Sequence, residues 1–282
     1  YAGGTGTADD PYLIATAEQL ARMIGYDVNT DYTSNITNGS TNKYYKLTAD
    51  IYLNDVSADN WYEESGLNEW YGTANSRFCG SFDGGGYTVY GLYGSGTESH
   101  GGLFPRIDAW DADRTIENLR ISRAYLAADT DYTGAIAGYV NSGNMKNVYF
   151  KNCYVDETVI IETPGMASGF VGSLAYESSY YTVENSASLA SKADGSRLQY
   201  GFAGNVHDWE WGCKYFTVNN SFAYADEYLG ASWGMGITNS YLISDLESIK
   251  GEAAKTAMPD LDWDGVWQTV EGDYPTYAQE IS

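Results

Sequence analysis

A repeated pattern organises the chain between residues 101 and 243. Each copy opens with a short Gly-rich apolar segment and closes with an Asn, which is followed by a second short apolar triplet. The copies align on Pro105, Gly138, Gly172 and Gly204. Their spacings are 33, 34 and 32 residues. A period this regular is typical of solenoids and blade arrays, in which each copy adds one structural unit to a stack.

The closing asparagines predict an internal ladder. They are Asn118, Asn147, Asn185, Asn220 and Asn239. In the triplet after each Asn, the first and third residues are apolar or small, so period-2 geometry places them inside and the middle residue outside. With turns stacked about 4.8 Å apart, we expect each Asn amide to bond the backbone of a neighbouring turn. The asparagines are therefore predicted to be structural.

Composition predicts a mostly-β chain and excludes some classes of partner. The 32 glycines and 27 tyrosines favour short strands joined by tight turns. The net charge of −23 opposes binding to nucleic acid and to anionic membrane surfaces, because both depend on Lys and Arg. No apolar run approaches the roughly 18 residues of a membrane span, so we expect no membrane insertion. The three cysteines have no disulfide-framework or zinc spacing, and no cofactor is predicted.

Both ends of the chain predict caps on a single β-helix domain. Residues 1–43 form the lead-in and N-terminal cap, 44–243 the rungs, and 244–282 the C-terminal cap. Thr16 and Gln19 have the capping-box spacing of a helix over 17–24. Ser244, with Glu247 three residues later, predicts the start of a second short helix. Caps are expected because an uncovered terminal rung exposes unpaired backbone and apolar surface.

Four motifs resemble those of one family of bacterial surface modules. They are the opening Gly-Thr-Ala-Asp-Asp-Pro-Tyr-Leu-Ile-Ala-Thr-Ala-Glu-Gln-Leu (6–20), the pair at 45–53 and 80–89, the repeats, and the closing pair at 262–267 and 272–275. Such motifs occur in GLUG-repeat modules of Gram-positive, often gut-dwelling bacteria, although the openers here depart from the usual Gly-Leu-Val-Gly. The resemblance implies a right-handed parallel β-helix, which we expect to have about seven rungs. It also implies export and surface display, with a signal peptide removed or the module excised from a longer protein.

Aromatic side chains supply the candidate binding residues. The outward middle residues of the five triplets are Arg120, Tyr149, Ala187, Phe222 and Tyr241. With Trp209 and Trp211 on a nearby loop, the rings Tyr149, Phe222 and Tyr241 could form a platform for the C–H faces of sugars. The alternative is that other segments cover the column and make it a secondary core.

One acidic motif matches the calcium loop of an EF-hand. It contains Asp260, Asp262, Asp264 and Glu271 at the expected spacing. Gly-Asp-Tyr-Pro follows Glu271, so no exiting helix can begin there. A structural turn is the alternative, and no metal site is predicted.

The leading prediction is a non-catalytic extracellular module for adhesion or glycan binding, with a glycan or host-surface partner. No catalytic residues are predicted, since His100 and His207 lie in no recognisable nucleophile or metal spacing. The alternative is a stalk or filament subunit that associates end to end. A glycan-cleaving enzyme is a third and less favoured class, which requires two or three carboxylates converging on one groove.

Overall fold

The chain folds as a parallel β-solenoid. The computed structural model describes residues 1–24, 42–70, 77–95, 101–127, 132–164, 167–174, 180–206, 215–230 and 235–279. Each turn of the solenoid contributes strands to three long sheets, and helices are few. The predicted fold class is confirmed, although the regular turns number about five rather than seven, with interrupted or partial turns at the ends.

The first sheet contains eight parallel strands. They are β1 (Tyr12–Ile14), β2 (Tyr44–Leu47), β5 (Ser81–Asp83), β9 (Arg114–Glu117), β14 (Asn147–Lys151), β19 (Tyr180–Glu184), β22 (Tyr215–Asn219) and β25 (Met235–Thr238). The second sheet contains seven parallel strands. They are β3 (Ile51–Tyr52), β6 (Thr88–Tyr90), β10 (Arg120–Ser122), β15 (Tyr154–Val155), β20 (Ala187–Ser188), β23 (Phe222–Ala223) and β26 (Tyr241–Leu242).

The third sheet contains the Gly-rich openers. Its strands are β4 (Arg77–Phe78), β8 (Phe104–Ala109), β12 (Thr133–Gly134), β13 (Ala137–Ser142), β17 (Ala167–Ser168), β18 (Val171–Leu174), β21 (Leu198–Val206) and β24 (Ala225–Gly230). A small fourth sheet pairs β7 (Tyr93–Gly94), β11 (Tyr125–Leu126) and β16 (Ile160–Ile161). The remaining elements are helices α1 (Ala17–Ile24) and α2 (Ala253–Ala257), short 3₁₀ helices at Trp61–Glu63 and Leu246–Ile249, and the antiparallel hairpin β27 (Trp267–Val270) and β28 (Asp273–Tyr277).

Apolar side chains stack in register through the interior. In the first sheet one such column consists of Tyr45, Phe82, Ile116, Phe150, Val183 and Val218. None of these six side chains is more than 3% exposed. Burying an apolar side chain of this size stabilises a fold by about 1.5–3 kcal/mol. Because every turn repeats these contacts, the column fixes the register of the whole solenoid.

The asparagine ladder exists, with one member reassigned. Phe150 pairs with Ile116 and Lys151 with Glu117, so Asn152 and not Asn147 occupies the position equivalent to Asn118. Each side-chain amide donates to the side chain of the neighbouring Asn rather than to the backbone as predicted, while the backbone N–H groups of Asn118, Asn152, Asn185 and Asn220 also bond the next turn. Nδ2 of Asn152 donates to Oδ1 of Asn118 at 2.9 Å, and Nδ2 of Asn185 donates to Oδ1 of Asn152 at 3.3 Å. In the next turn, Nδ2 of Asn220 donates to Oδ1 of Asn185 at 2.7 Å. The ladder residues, including Asn239, all have φ between 47° and 53°, a conformation that Asn tolerates better than most residues.

The N-terminal end of the solenoid is closed by its own chain. Helix α1 buries Leu20, Met23 and Ile24 against the core. Thr16 Oγ1 accepts the backbone N–H of Gln19 at 3.3 Å as predicted, whereas the Gln19 side chain accepts the N–H of Ala15, at 2.8 Å, rather than that of Thr16. The free edge of β1 is also paired. Leu13 exchanges backbone hydrogen bonds with Ala2 and Gly3, at 2.8 and 3.0 Å.

The C-terminal segment, residues 244–279, packs against the last turns of the second sheet. It lies along the outer face of the second sheet, where its aromatic residues form a second apolar cluster. Asp245 rather than Ser244 caps the first helical turn, since its carboxylate accepts the backbone N–H of Glu247. The segment ends in the hairpin of β27 and β28.

Candidate functional site

The outer face of the second sheet carries one column of side chains in register. The column runs Thr88, Arg120, Tyr154, Ala187, Phe222 and Tyr241. Tyr149, predicted to belong to it, lies instead in β14 of the first sheet, between Thr115 and Thr182. The prediction for Tyr149 is wrong for the same reason as that for Asn147: the register is displaced by five residues in this turn. Tyr154 takes the predicted place.

The C-terminal segment covers the column from Phe222 to Tyr154. Trp267 is fully buried, with its ring centre 4.9 Å from that of Phe222 and 4.8 Å from that of Tyr277. Its indole N–H donates to the carbonyl of Asn220 at 3.0 Å. The hydroxyl of Tyr154 donates to the carbonyl of Pro275 at 2.9 Å. Phe222 is therefore part of a secondary core, the alternative considered from the sequence.

The other predicted binding residues lie in different surroundings. Tyr241 is half-buried, and its hydroxyl donates to Oδ2 of Asp260 at 2.7 Å while accepting the Asp260 backbone N–H at 2.8 Å. Trp209 and Trp211 fall outside the described residues, so their role stays a prediction.

The calcium-loop motif forms a turn against the asparagine ladder. Oδ1 of Asp262 accepts the backbone N–H of Gly265 at 2.8 Å, and the Asp262 N–H donates to Oδ1 of Asn220 at 2.7 Å. Within the described ranges, no three His, Cys, Asp or Glu side chains converge as metal ligands. The motif joins α2 to β27 and docks the C-terminal segment onto the solenoid.

Arg120 marks the boundary between the covered and the open parts of the column. Its guanidinium lies over the rings of Tyr154 and Tyr277, at 5.2 and 5.6 Å, and donates to Oγ1 of Thr276 at 2.7 Å. Thr88 and the residues around it lie beyond this boundary, where the hairpin and the solenoid together form a cleft of about 660 Å³. Its lining includes Asp50, Tyr87, Arg120, Asn118, Asn152, Gln268 and Tyr277.

Most groups that line the cleft are polar and held in place by hydrogen bonds. Oδ1 of Asp50 accepts the backbone N–H of Thr88 at 2.9 Å, and Gln268 donates to the carbonyl of Tyr277 at 3.0 Å. Asn118 and Asn152 are the ladder residues that reach this surface. Amides and a carboxylate beside the tyrosine ring of Tyr87 are groups that can bind a ligand with many hydroxyls.

A stacked pair of tyrosines extends this open surface. Tyr52 and Tyr90 are partners in the parallel pairing of β3 and β6, and their rings lie 4.7 Å apart with planes only 10° from parallel. Tyr52 is 58% exposed, the largest exposure among the aromatic side chains described. It also lines a second depression of about 590 Å³, together with Asn54, Asp55 and Asn68.

The second depression has a rigid wall. Oδ1 of Asn54 accepts the Asn68 backbone N–H at 2.7 Å, and Asn54 Nδ2 donates to the carbonyl of Gly91 at 2.8 Å. Gly91 has a φ of 72°, and a Cβ there would meet the Asn54 backbone nitrogen at 2.7 Å. A glycine is required at this position by both its conformation and the close approach.

Two adjacent carboxylates lie farther along the same outer face. Asp156 follows β15, and Oδ1 accepts the backbone N–H of Thr158 at 3.0 Å. Burial raises the pKa of Asp156, and burial together with the neighbouring Asp156 carboxylate raises the pKa of Glu157. Buried carboxylates with raised pKa values can mark functional sites, but they also occur in structural clusters.

Sequence reasoning missed the open surface formed by Tyr52, Tyr87, Tyr90 and Gln268. A signal for the stacked pair was present, since Tyr52 and Tyr90 each follow a buried Ile or Val in the same strand pattern. The contribution of Gln268 depends on where the C-terminal segment docks, and the local sequence does not encode that position.

Comparison with known proteins gives two similarities. Halomucin from Haloquadratum walsbyi is 30% identical over 207 residues, which make up 72% of this chain and 2% of halomucin. The chain thus spans a very small part of that protein. A crystal structure from Bacteroides ovatus, described as that of a candidate immunoglobulin A1 protease, covers 98% of this chain and 94% of its own, at 14% identity and a TM-score of 0.44.

No protein-family model matches the chain, so membership of the GLUG-repeat family stays a prediction. In the described part of the chain, no helix is long and apolar enough to cross a membrane.

Proposed function

We propose that this chain is a non-catalytic extracellular module that binds a neutral glycan on the open outer face of the second sheet. The observation that carries the proposal is the exposed, stacked pair Tyr52 and Tyr90 next to a cleft lined by amides. Sugar rings pack their C–H faces on aromatic rings, while amides and carboxylates bond their hydroxyls. The extracellular location and surface display follow from the GLUG-repeat resemblance and are part of the proposal.

The charge of the chain favours a neutral glycan over an acidic one. At a net charge of −23, the protein repels polyanions before any specific contact forms. Among the described residues that line the cleft, Arg120 is the one cation, and Tyr154, Tyr277 and Thr276 already engage it. We therefore expect binding that changes little between low and physiological salt, because no counterions are released.

The chain offers a matched control for the key ring. Tyr215 is 50% exposed and stacks on Tyr180 across two turns of the first sheet, with ring centres 4.9 Å apart and planes 10° from parallel. Tyr52→Ala and Tyr215→Ala remove the same kind of exposed ring from two different faces. Comparable melting temperatures for the two variants would establish that any difference in binding is local.

The test is a screen of the wild-type chain on immobilised neutral glycans, followed by titration calorimetry with the best binder. We expect Tyr52→Ala to weaken binding by about 10-fold, since an aromatic contact contributes about 0.5–1.5 kcal/mol beyond burial. Tyr215→Ala should bind like wild type. Binding to no neutral glycan, or equal affinity in the two variants, would overturn the proposal.

A further inference from the structure

The last strand of the first sheet, β25, exposes side chains that belong to the interior columns. Ile237 pairs with Val218 and Met235 with Phe216, so both occupy inward positions of the stack. Their equivalents in the preceding turn are at most 3% exposed, whereas Ile237 is 36% and Met235 44% exposed. The open end of the solenoid at β25 therefore presents apolar core residues together with a strand edge.

The edge of β25 lacks the features that normally prevent strand addition. Exposed edges in monomeric proteins are blunted by charged residues, proline or bulges. The sequence of β25 is Met-Gly-Ile-Thr, and its pairing with β22 is regular. At the opposite end of the same sheet, the chain pairs the edge of β1 with residues 2 and 3 and covers the core with α1. Among the described residues, no segment pairs with the outer edge of β25, so a further strand can add there.

Charge indicates what kind of strand fits. Between residues 215 and 249 the chain carries Asp226, Glu227, Asp245 and Glu247, and no Lys or Arg. Asp226 is paired with Arg197 of the preceding turn at 2.6 Å, and Glu247 with Lys250 at 2.6 Å. Glu227 and Asp245 form no ion pair among the described residues, so this part of the open turn keeps an excess of negative charge, to which a strand with basic flanking residues is complementary.

A second copy of this chain fits poorly. Head-to-tail stacking would place β25 against an end that α1 and residues 1–3 already close. Tail-to-tail pairing would bring together the acidic last turns of two chains that each carry a net charge of −23.

We propose that β25 is a docking edge for an extended segment of a partner protein. The segment would add as a ninth parallel strand, with apolar residues at alternate positions over Met235 and Ile237 and with basic residues at its ends. Backbone hydrogen bonds would supply affinity, and the two apolar contacts would fix the register.

The experiment uses a fluorescent peptide with the sequence of β22, Tyr-Phe-Thr-Val-Asn, between two pairs of lysines. Its Phe and Val have the spacing of the side chains that pack on Met235 and Ile237 inside the solenoid. Two control peptides carry Pro in place of Thr, which removes one backbone donor, or glutamates in place of the lysines. Binding is measured by fluorescence anisotropy with the full chain.

We expect the lysine-flanked peptide to bind, and both control peptides to bind at least 10-fold more weakly. Ile237→Asp should weaken binding at least 10-fold, whereas Thr238→Asp, on the outward side of the same strand, should have little effect. Since all four residues of β25 are exposed, both variants should fold, which circular dichroism checks. Failure of the peptide to bind, equal binding of the Pro peptide, or equal effects of the two variants would overturn the proposal.

Sedimentation without peptide provides a second outcome. A monomer is expected, and a dimer abolished by Ile237→Asp would overturn the partner assignment in favour of a second copy. Binding of neutral glycan by Ile237→Asp should be unchanged, because β25 and Tyr52 lie in different sheets at opposite ends of the solenoid. This separates the docking edge from the proposed glycan site.

Discussion

Replacement of Asn152 tests whether the asparagine ladder stabilises the solenoid. Its side chain bonds both neighbours, since Nδ2 donates to Oδ1 of Asn118 at 2.9 Å and Oδ1 accepts from Nδ2 of Asn185 at 3.3 Å. Its backbone has a φ of 52°, in the left-handed region. Asn152→Gly removes the amide without backbone strain, and Asn152→Ala removes the amide and adds strain.

The expected losses in the free energy of unfolding follow from the lost hydrogen bonds and the added backbone strain. A neutral hydrogen bond contributes about 0.5–1.5 kcal/mol, so loss of both bonds in Asn152→Gly should cost about 1–3 kcal/mol. A left-handed conformation costs a residue with a Cβ about 1–2 kcal/mol, which Asn partly avoids. Asn152→Ala should therefore be less stable than Asn152→Gly by about 1 kcal/mol. We therefore expect the free energy of unfolding to decrease from wild type to Asn152→Gly and further to Asn152→Ala.

Asn144 is the matched control for this series. It has a φ of 55°, is exposed, and donates one hydrogen bond to the carbonyl of Trp110 at 3.0 Å without joining the ladder. Urea unfolding followed by circular dichroism gives the free energy of unfolding for each variant. The difference in free energy of unfolding between the Ala and Gly variants should be similar at both sites. The loss caused by the Gly substitution itself should be clearly larger at Asn152 than at Asn144. A Gly variant at Asn152 as stable as that at Asn144 would refute a stabilising role for the ladder.

Three further predictions concern the C-terminal segment and its surroundings. Trp267→Ala should lower the free energy of unfolding by about 3–5 kcal/mol because the indole is fully buried against Phe222 and Tyr277. Trp110→Ala should lower it by clearly less, because that ring is 43% exposed and lies against Gly143; urea unfolding measures both variants, and equal losses would contradict the docking of the C-terminal segment. Burial raises the folded-state pKa of Asp156, so this carboxyl favours the folded state below its unfolded pKa, and that contribution is lost as pH rises through the folded pKa. Asp156→Asn should therefore gain melting temperature relative to wild type at pH 7 but not near pH 3, and a gain that does not depend on pH would refute the assignment. Because Asp262 is engaged in a turn, addition of Ca²⁺ should leave the melting temperature unchanged, and a rise reversed by EDTA would contradict the structural role of that motif.

The repeat period predicted the fold, but local pattern did not fix the register in every turn. Val-Tyr-Phe after Asn147 and Cys-Tyr-Val after Asn152 satisfy the same alternation. The correct choice could have been made from spacing, since Asn152 lies 34 residues after Asn118 and 33 before Asn185. Asn147 would give unequal intervals of 29 and 38 residues.

The position of the C-terminal segment could not be predicted, because it depends on contacts between residues far apart in the sequence. Trp267 and Tyr277 pack on Phe222 and Tyr154, and nothing in the local pattern of residues 262–277 specifies that face over the open end at β25. The same docking decides which tyrosines stay exposed. The candidate surface at Tyr52 and Tyr90 is therefore visible only in three dimensions.

NMR of labelled tyrosine rings tests whether the open outer face of the second sheet binds a neutral glycan. The chain is labelled with ¹³C in its tyrosine rings, assigned by single Tyr→Phe substitutions, and titrated with the neutral oligosaccharide that binds best in the screen. We expect the ring signals of Tyr52, Tyr87 and Tyr90 to shift and those of Tyr180 and Tyr215 to stay unchanged. Shifts confined to Tyr180 and Tyr215, or to no tyrosine, would contradict it.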